Sequence, residues 1–308
     1  MIEVAGLTKK YGDLLAVKDL SFKVDKGKIW GLLGPNAAGK TTTMRILTGY
    51  LPATDGKAVV AGYDVFEQPN DVKRIIGYLP EVVPLYPEMT VADYLRFVAE
   101  IKQVPAAKRK AAIDKAVEAA DLKDVRGRLI KNISRGFKQR VGIAQALIHD
   151  PQVLILDEPT IGLDPKQIIF IRELIKSLKG ERTIILSTHI LAEVTQTCDG
   201  AAIINEGRLM AAGTLDEIAA SVKVREGAVL RLRKGGEEAA SQMRRVSGVE
   251  RVARADKEYT VEWSAGADPR EELVRLVVDK GWGLVEMRSL AMNIEDLYLK
   301  IVSGGTAQ

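Results

Sequence analysis

The sequence predicts an α/β domain over residues 1–222, followed by a smaller α+β domain over residues 228–308. In the first domain, apolar runs of strand length alternate with helical patterns, which is typical of a mostly parallel sheet with helices on its faces. A glycine-rich turn joins one of these strands directly to a helix. A polar stretch at 223–227 then marks a boundary, and the pattern of strands and helices starts afresh.

The elements of the first domain follow from these patterns. A strand is predicted at the amino terminus, over residues 2–7. Buried strands of the parallel sheet are predicted at residues 28–33, 153–156, 183–186 and 201–204. Helices are predicted at residues 39–48, 137–148, 168–178 and 191–197.

The pattern becomes rich in helices between Pro80 and Asp124, with helices predicted at 91–102 and 107–120. We therefore expect a helical subdomain, over about residues 82–150, inserted between strands of the sheet.

Strands and helices of the second domain alternate in a different order. Strands are predicted at 229–233, 249–254, 259–263 and 283–289, and helices at 237–246, 269–279 and 293–302. This order resembles a split β-α-β, ferredoxin-like module with one added helix.

Composition limits the possible roles of the chain. The 308 residues are 46% hydrophobic and 28% charged, which is ordinary for a globular protein, and the net charge of +4 gives no reason to expect a nucleic-acid partner. The single cysteine, Cys198, cannot form an internal disulfide, and no basic, apolar leader precedes the first strand, so we expect a cytoplasmic protein. No apolar run approaches the ~20 residues that cross a bilayer, so a membrane role requires a partner.

The glycine-rich turn fits the pattern G-x-x-x-x-G-K-[ST] and lies between the strand at 28–33 and a helix. Its residues, with the threonine that follows, are Gly34, Pro35, Asn36, Ala37, Ala38, Gly39, Lys40, Thr41 and Thr42. Backbone N–H groups at a helix start bind phosphate, Lys40 adds positive charge, and the Thr41 hydroxyl can ligate Mg²⁺. The alternative, a turn without a ligand, explains neither the lysine nor the hydroxyl after it.

Two acids, Asp157 and Glu158, end the apolar run at 153–156. At the tip of a parallel strand beside the phosphate loop, Asp157 would help to hold Mg²⁺ and Glu158 would accept a proton from water. The alternative is a pair of solvated charges at a strand end.

The phosphate loop is followed by Asp-Glu-Pro-Thr at 157–160, Gly-Leu-Asp-Pro at 162–165 and Ser-Thr-His at 187–189. In this order the motifs resemble those of the ATP-binding subunits of ABC transporters. The resemblance covers roughly the first 220 residues and implies a P-loop NTPase fold of the ABC type, ATP and Mg²⁺ as ligands, and a head-to-tail homodimer with ATP between its subunits.

The resemblance also assigns a role to the segment that contains Ser134, Arg135, Gly136 and Phe137. In the family, the matching signature motif contacts the ATP that is bound to the other subunit. Ser134 offers a hydroxyl, Gly136 permits a close backbone approach, and the helix that begins here turns its positive end toward the γ phosphate. Without the resemblance, the segment would be an ordinary helix start with Ser134 as its N-cap.

Further roles carry over by motif. Tyr11 matches the aromatic residue that stacks on adenine, although it could instead be a packing tyrosine. His189 matches the switch histidine at the γ phosphate, and Asp164 matches the loop that crosses the dimer interface. Together with Lys40 and Glu158, His189 is expected to be catalytic.

Four positions depart from the family. Ala37 replaces a frequent glycine, and Arg135 and Phe137 replace the usual glycine and glutamine of the signature. Arg135 would either clamp the opposite γ phosphate or point toward solvent or a partner. Glu81 replaces the glutamine that touches Mg²⁺; its carboxylate can serve as a metal ligand, or it is an acid solvated at a strand end.

The resemblance implies an ATPase subunit that drives a polytopic membrane subunit on a separate chain, most similar to exporters, on the cytoplasmic face of the membrane. The apolar segment 82–89 is expected to receive that partner. The alternative is a soluble ABC-type ATPase that acts as a mechanical or regulatory module. The second domain is expected to contribute packing or dimer contacts rather than a ligand site, and the motifs do not indicate the transported substrate.

Overall fold

A computed structural model of the chain describes residues 1–221, 226–264, 266–289 and 298. The chain divides into two units, the first comprising Met1–Ile218 together with Tyr298, and the second lying within residues 219–297. The helix predicted at 293–302 falls, apart from Tyr298, outside the described residues.

The strands and helices of the first unit place the predicted motifs at the ends of elements. Its strands are β1 Ile2–Tyr11, β2 Leu14–Val24, β3 Ile29–Leu33, β4 Asp55–Val60, β5 Tyr63–Asp64, β6 Ile76–Leu79, β7 Val153–Asp157, β8 Thr183–Thr188, β9 Gly200–Asn205 and β10 Arg208–Thr214. The helices up to residue 221 are α1 Lys40–Leu47, α2 Pro69–Ile75, α3 Val91–Ile101, α4 Ala106–Ala119, α5 Arg135–Leu147, α6 Pro165–Ser177, α7 Leu191–Thr197 and α8 Leu215–Ser221.

A six-stranded sheet in the order β10-β9-β3-β8-β7-β6 forms the centre of this unit. Strands β9, β3, β8, β7 and β6 run parallel, and β10 pairs antiparallel with β9. Every residue of β3, β7 and β8 is buried, as expected for strands covered on both faces. The four predicted parallel strands are confirmed, and their carboxyl ends meet at one edge of the sheet.

A second sheet of the first unit is antiparallel, in the order β2-β1-β4-β5. Its buried residues Leu7, Leu20 and Val60 share one core with Met44 and Leu47 of α1. This core fixes the helix that follows the phosphate loop, because α1 packs its apolar face against it.

A helical segment lies between β6 and β7, strands that are neighbours in the sheet. Helices α3, α4 and α5 surround a core of their own that includes Leu95, Val117, Leu122 and Val141. Helix α3 begins at the N-cap Thr90, whose hydroxyl accepts a hydrogen bond from the Asp93 N–H at 3.1 Å.

The second unit contains one antiparallel sheet in the order β12-β13-β11-β14. Its elements are β11 Glu226–Leu232, α9 Gly236–Met243, β12 Val249–Ala255, β13 Glu258–Trp263, α10 Arg270–Asp279 and β14 Leu284–Ser289. Leu230, Tyr259, Val261 and Leu273 are buried in its core. Among the helices that the structure describes, none is long and apolar enough to cross a membrane.

Candidate nucleotide site

The phosphate loop connects β3 to α1 through a backbone that favours small residues. Gly39 has a φ of 103°, and a Cβ on it would lie 2.7 Å from the Ala16 carbonyl oxygen. Ala37 has a φ of 63°, in the left-handed region where glycine is normally preferred. The loop therefore delivers Lys40 and Thr41 directly into the first turn of α1, where free backbone N–H groups can bind an anion.

Lys40 is buried at the base of the loop. Its Nζ donates to the carbonyl oxygens of Gly34 at 2.7 Å and Pro35 at 3.1 Å. The same nitrogen lies 3.5 Å from Oε1 of Glu158. The loop lysine and the acid that follows β7 are thus neighbours in the folded chain.

The carboxylate of Asp157 is fully buried and only partly hydrogen-bonded. Its Oδ1 accepts from the Ser187 hydroxyl at 2.5 Å and from the Thr41 hydroxyl at 3.3 Å. Its Oδ2 has no partner among the described residues, although a buried polar atom normally has one. A free carboxylate oxygen beside a hydroxyl provides the ligand types that Mg²⁺ prefers, so the donor set fits this ion.

Glu158 joins the phosphate loop to the predicted switch histidine. Its Oε2 lies 3.0 Å from Nδ1 of His189, while its other oxygen faces Lys40. Its backbone has a φ of 48°, and its N–H donates to the Ser187 hydroxyl at 2.9 Å. Because Glu158 is 6% exposed, its carboxylate points into the site rather than to solvent.

Behind this group lies the buried Glu193, which was not singled out from the sequence, together with buried Thr160 and Thr188, which appear there only as members of motifs. Glu193 on α7 accepts hydrogen bonds from the hydroxyls of Thr160 and Thr188, the latter at 2.6 Å. Spacing alone could not reveal this contact, because Thr160 and Glu193 are 33 residues apart.

The predicted signature residues begin α5. Ser134 is its N-cap and accepts from the Phe137 N–H at 3.4 Å, and both Ser134 and Arg135 are exposed. The Arg135 guanidinium donates to the Ile161 carbonyl at 3.2 Å and lies over Gly162, where a Cβ would meet it. In the single chain this side chain therefore contacts its own loop, and a clamp on an opposite phosphate stays a prediction.

The loop from β7 to α6 lies against the same helix. Gln139, which is buried, donates to the Pro159 carbonyl at 2.9 Å. Asp164 is the N-cap of α6 and accepts from the Gln167 N–H at 3.0 Å. The Gln167 side chain leaves no room for a Cβ at Gly136.

Tyr11, Thr42 and Glu81 lie outside the buried cluster. Tyr11 ends β1 with 43% of its surface exposed, and the Lys9 ammonium lies 5.4 Å from the centre of its ring. Thr42 is half-buried in α1. Glu81 is exposed just after β6 and forms no hydrogen bond or ion pair with the rest of the described chain, so the structure does not bring it into contact with Thr41 or Asp157.

Two tyrosines near the cluster have altered acidity. Burial, with a smaller contribution from the Asp157 charge, raises the pKa of Tyr78 to about 12. Burial and the Glu158 charge also raise the pKa of Tyr298, whose hydroxyl donates to the His189 carbonyl at 3.3 Å. Both hydroxyls therefore stay protonated at neutral pH.

The chain is similar in sequence to known proteins. The sequence profile of the family described as "ABC transporter" matches residues 17–161. The bacitracin transport ATP-binding protein BcrA of Bacillus licheniformis is 34% identical over 308 residues, which cover 99% of this chain and 98% of the relative.

Solved structures show the same fold. A structure described as the ATP-binding subunit of an ABC transporter is 33% identical in sequence and has a TM-score of 0.67. The match covers 73% of this chain and 94% of the chain in that structure. A dimeric bacterial ABC transporter cassette has a TM-score of 0.64, but at 23% identity, over 70% of this chain and 99% of its own, it is a likeness of fold alone.

Proposed function

The chain belongs to the ATP-binding subunits of ABC transporters, and on this premise we propose that two copies close head to tail around two molecules of Mg-ATP and hydrolyse them. The observation that carries the proposal is the contact of buried Glu158 with buried Lys40 through one carboxylate oxygen and with the partly exposed His189 through the other. This group of residues lies beside the phosphate loop. The exposed Ser134 lies instead at the start of a different helix, α5, which carries no catalytic group of its own. Each pocket is therefore proposed to use Lys40, Thr41, Asp157 and Glu158 of one copy and the signature residues of the other.

We propose a task for each side chain of the pocket. Lys40 holds the β and γ phosphates, while Glu158 accepts a proton from the attacking water. His189, beside Glu158, contacts the γ phosphate and distinguishes ATP from ADP. We propose that Thr41, Asp157 and Glu81 would hold Mg²⁺. The ion would supply positive charge against the negative charge of the phosphoryl oxygens.

We further propose that a polytopic membrane subunit on a separate chain docks on the helical segment between β6 and β7, at the cytoplasmic face of the membrane. A cavity of about 350 Å³ there is lined by Tyr86, Tyr94, Phe97 and Ile101. Its aromatic rings meet edge to face, with 6.0 Å between the centres of Tyr86 and Tyr94. Exposed Val82 adds to this surface. Similarity to the bacitracin transport ATP-binding protein supports a transport role, which we propose to be export.

The βαββαβ order and the sheet order of the second unit support a ferredoxin-like accessory module, which we propose contributes contacts between copies. The first unit is proposed as residues 1–222 and this module as residues 228–308, with the helical subdomain at about 82–150.

The dimer proposal is tested by trapping. Glu158→Gln removes the proton acceptor but keeps the shape of the side chain, so Mg-ATP should convert the variant from monomer to dimer in size-exclusion chromatography with light scattering. Adding Ser134→Ala should prevent this conversion, because the hydroxyl offered to the opposite ATP is lost.

Ser177→Ala is the matched control, because the Ser177 hydroxyl donates to the Leu174 carbonyl within α6, away from the site. Glu158→Gln with Ser177→Ala should still dimerise. A wild-type chain that stays monomeric while it hydrolyses ATP at full rate, and that is indifferent to Ser134→Ala, would contradict the proposal.

A further inference from the structure

Glu193 is a buried acid that belongs to none of the motifs. It is 6% exposed, and it forms no ion pair with any cation of the described chain. Burying a carboxylate costs free energy unless strong hydrogen bonds replace its water. Both of its oxygens are satisfied by hydroxyl groups, those of Thr160 and Thr188.

Those two hydroxyls flank the catalytic groups. Thr160 follows Glu158 by two residues, and Thr188 directly precedes His189. The Thr188 hydroxyl donates to Glu193 at 2.6 Å and accepts from the Ile190 N–H at 3.0 Å. Thr188 is thereby bonded to the Glu193 carboxylate directly, and Ile190 is connected to it through the Thr188 hydroxyl.

The helix that carries Glu193 is itself firmly packed. Val194, fully buried, lies against β3 at Gly31, where a Cβ would be 2.9 Å from the Val194 Cγ2. Strand β3 leads directly into the phosphate loop, so Glu193 is held at a defined position relative to that loop. Catalytic groups keep their geometry when rigid elements and surrounding hydrogen bonds hold them.

Glu158 is the group that most needs such support. Its φ of 48° is uncommon for a residue with a side chain, and an uncommon backbone conformation persists only where its surroundings hold it. The Ser187 hydroxyl holds its N–H, and Glu193 holds the chain two residues later through Thr160.

From this geometry we propose that Glu193 is a positioning residue for ATP hydrolysis, which sets Glu158 and His189 relative to each other by holding the two loops that carry them. The inference rests on the proposed hydrolytic function. Glu193 acts through the two threonines, whose hydroxyls hydrogen-bond to both of its carboxylate oxygens. It therefore affects the chemical step more than the binding of ATP.

The test compares kcat and KM for Mg-ATP in the full-length chain. Glu193→Gln keeps the volume of the side chain but replaces one acceptor oxygen by an NH₂ group, which is a donor. We expect kcat to fall about tenfold, because small misplacements of reacting groups slow the chemical step strongly. The KM for ATP should change less than threefold. In the Glu158→Gln background, the ATP-induced dimer should persist, which shows that binding is intact.

Two substitutions of Thr160 separate positioning from folding. Thr160→Val removes the hydroxyl at nearly equal volume and should lower kcat like Glu193→Gln, whereas Thr160→Ser keeps the hydroxyl and should retain turnover. The double variant with Thr160→Val and Glu193→Gln should lose little more than either single variant, because both break the same contact. Glu173→Gln, at an exposed acid on α6, is the matched control.

The outcomes distinguish the two proposals. Wild-type protein that does not hydrolyse ATP overturns the proposed function and this inference with it. Wild-type turnover together with a kcat for Glu193→Gln and Thr160→Val within twofold of wild type overturns only the role of Glu193. A rise in KM with unchanged kcat also overturns it, because Glu193 would then support binding.

Discussion

Ala37 shows how one residue of the phosphate loop departs from the usual glycine at a physical cost. Its φ of 63° is left-handed, a conformation that disfavours a residue with a Cβ. Ala37→Gly should relieve this strain but add freedom to the unfolded chain, so we expect a net gain of up to about 1 kcal/mol in the free energy of unfolding. Urea unfolding without nucleotide measures it.

Ala38→Gly is the control at the adjacent position. Ala38 is 2% exposed and does not have a positive φ, so removal of its methyl group should only destabilise the chain. If both variants lost stability equally, strain at Ala37 would not explain the difference between the two positions.

At the scale of elements, helix α5 and the loop from β7 to α6 are joined by Arg135 on the Ile161 carbonyl and Gln139 on the Pro159 carbonyl. The loop begins beside Glu158 of one pocket, and α5 begins at Ser134, which is proposed to serve the other pocket. Arg135→Ala should therefore weaken the coupling between pockets, so that the Hill coefficient for ATP hydrolysis falls from about 2 toward 1. Turnover at saturating ATP should fall less than threefold.

Steady-state rates over a range of ATP concentrations provide this measurement. Arg96→Ala, at an exposed arginine that pairs with Asp93 on α3, serves as the control and should keep the wild-type Hill coefficient. An unchanged Hill coefficient in Arg135→Ala would show that the contact of Arg135 with the Ile161 carbonyl does not couple the two pockets. A large loss of turnover would instead favour the clamp on the opposite γ phosphate.

The elements also show what the sequence could predict. The apolar runs of β7 and β8 and the periodic helices α3 and α4 were predicted to within about three residues, because local burial patterns specify them. Strand β2 was missed, since its pairing with β1 shifts register several times and its residue Asp19 has a φ of 52°. Only residues 20–24 of β2 alternate cleanly between buried and exposed, and the irregular pairing interrupts the pattern in the first half of the strand.

The candidate site likewise contains residues that the sequence predicts and contacts that it does not. Lys40, Asp157 and Glu158 lie in short motifs whose context is visible in the chain, and the structure brings them together. The contact of Glu193 with Thr160 and that of Arg135 with Ile161 join residues that are 33 and 26 positions apart, and both depend on the packing of α7 and α5. Sequence patterns do not encode such contacts, so only the folded arrangement reveals them.

At the scale of the whole molecule, each unit has a hydrophobic core of its own. Leu230 is fully buried in the core of the second unit, and Leu20 is fully buried in the first. Leu230→Ala should cost about 3 kcal/mol, as expected for a large-to-small change in a core. Because the phosphate loop and its core lie in the first unit, ATP turnover should stay within twofold of wild type, whereas Leu20→Ala should reduce both stability and nucleotide binding.

Tryptophan fluorescence can follow this experiment, because Trp263 and Trp282 are buried in the second unit and Trp30 in the first. In Leu230→Ala, most of the fluorescence change should occur at a lower urea concentration than in wild type. Saturating Mg-ATP should not return this transition to the wild-type urea concentration, because a ligand stabilises only the structure that binds it. Hydrogen exchange of β3 and α1 should remain protected by ATP in this variant. If ATP instead shifted the fluorescence transition of Leu230→Ala as strongly as the exchange of β3, the two units would unfold together, and their cores would not be energetically independent.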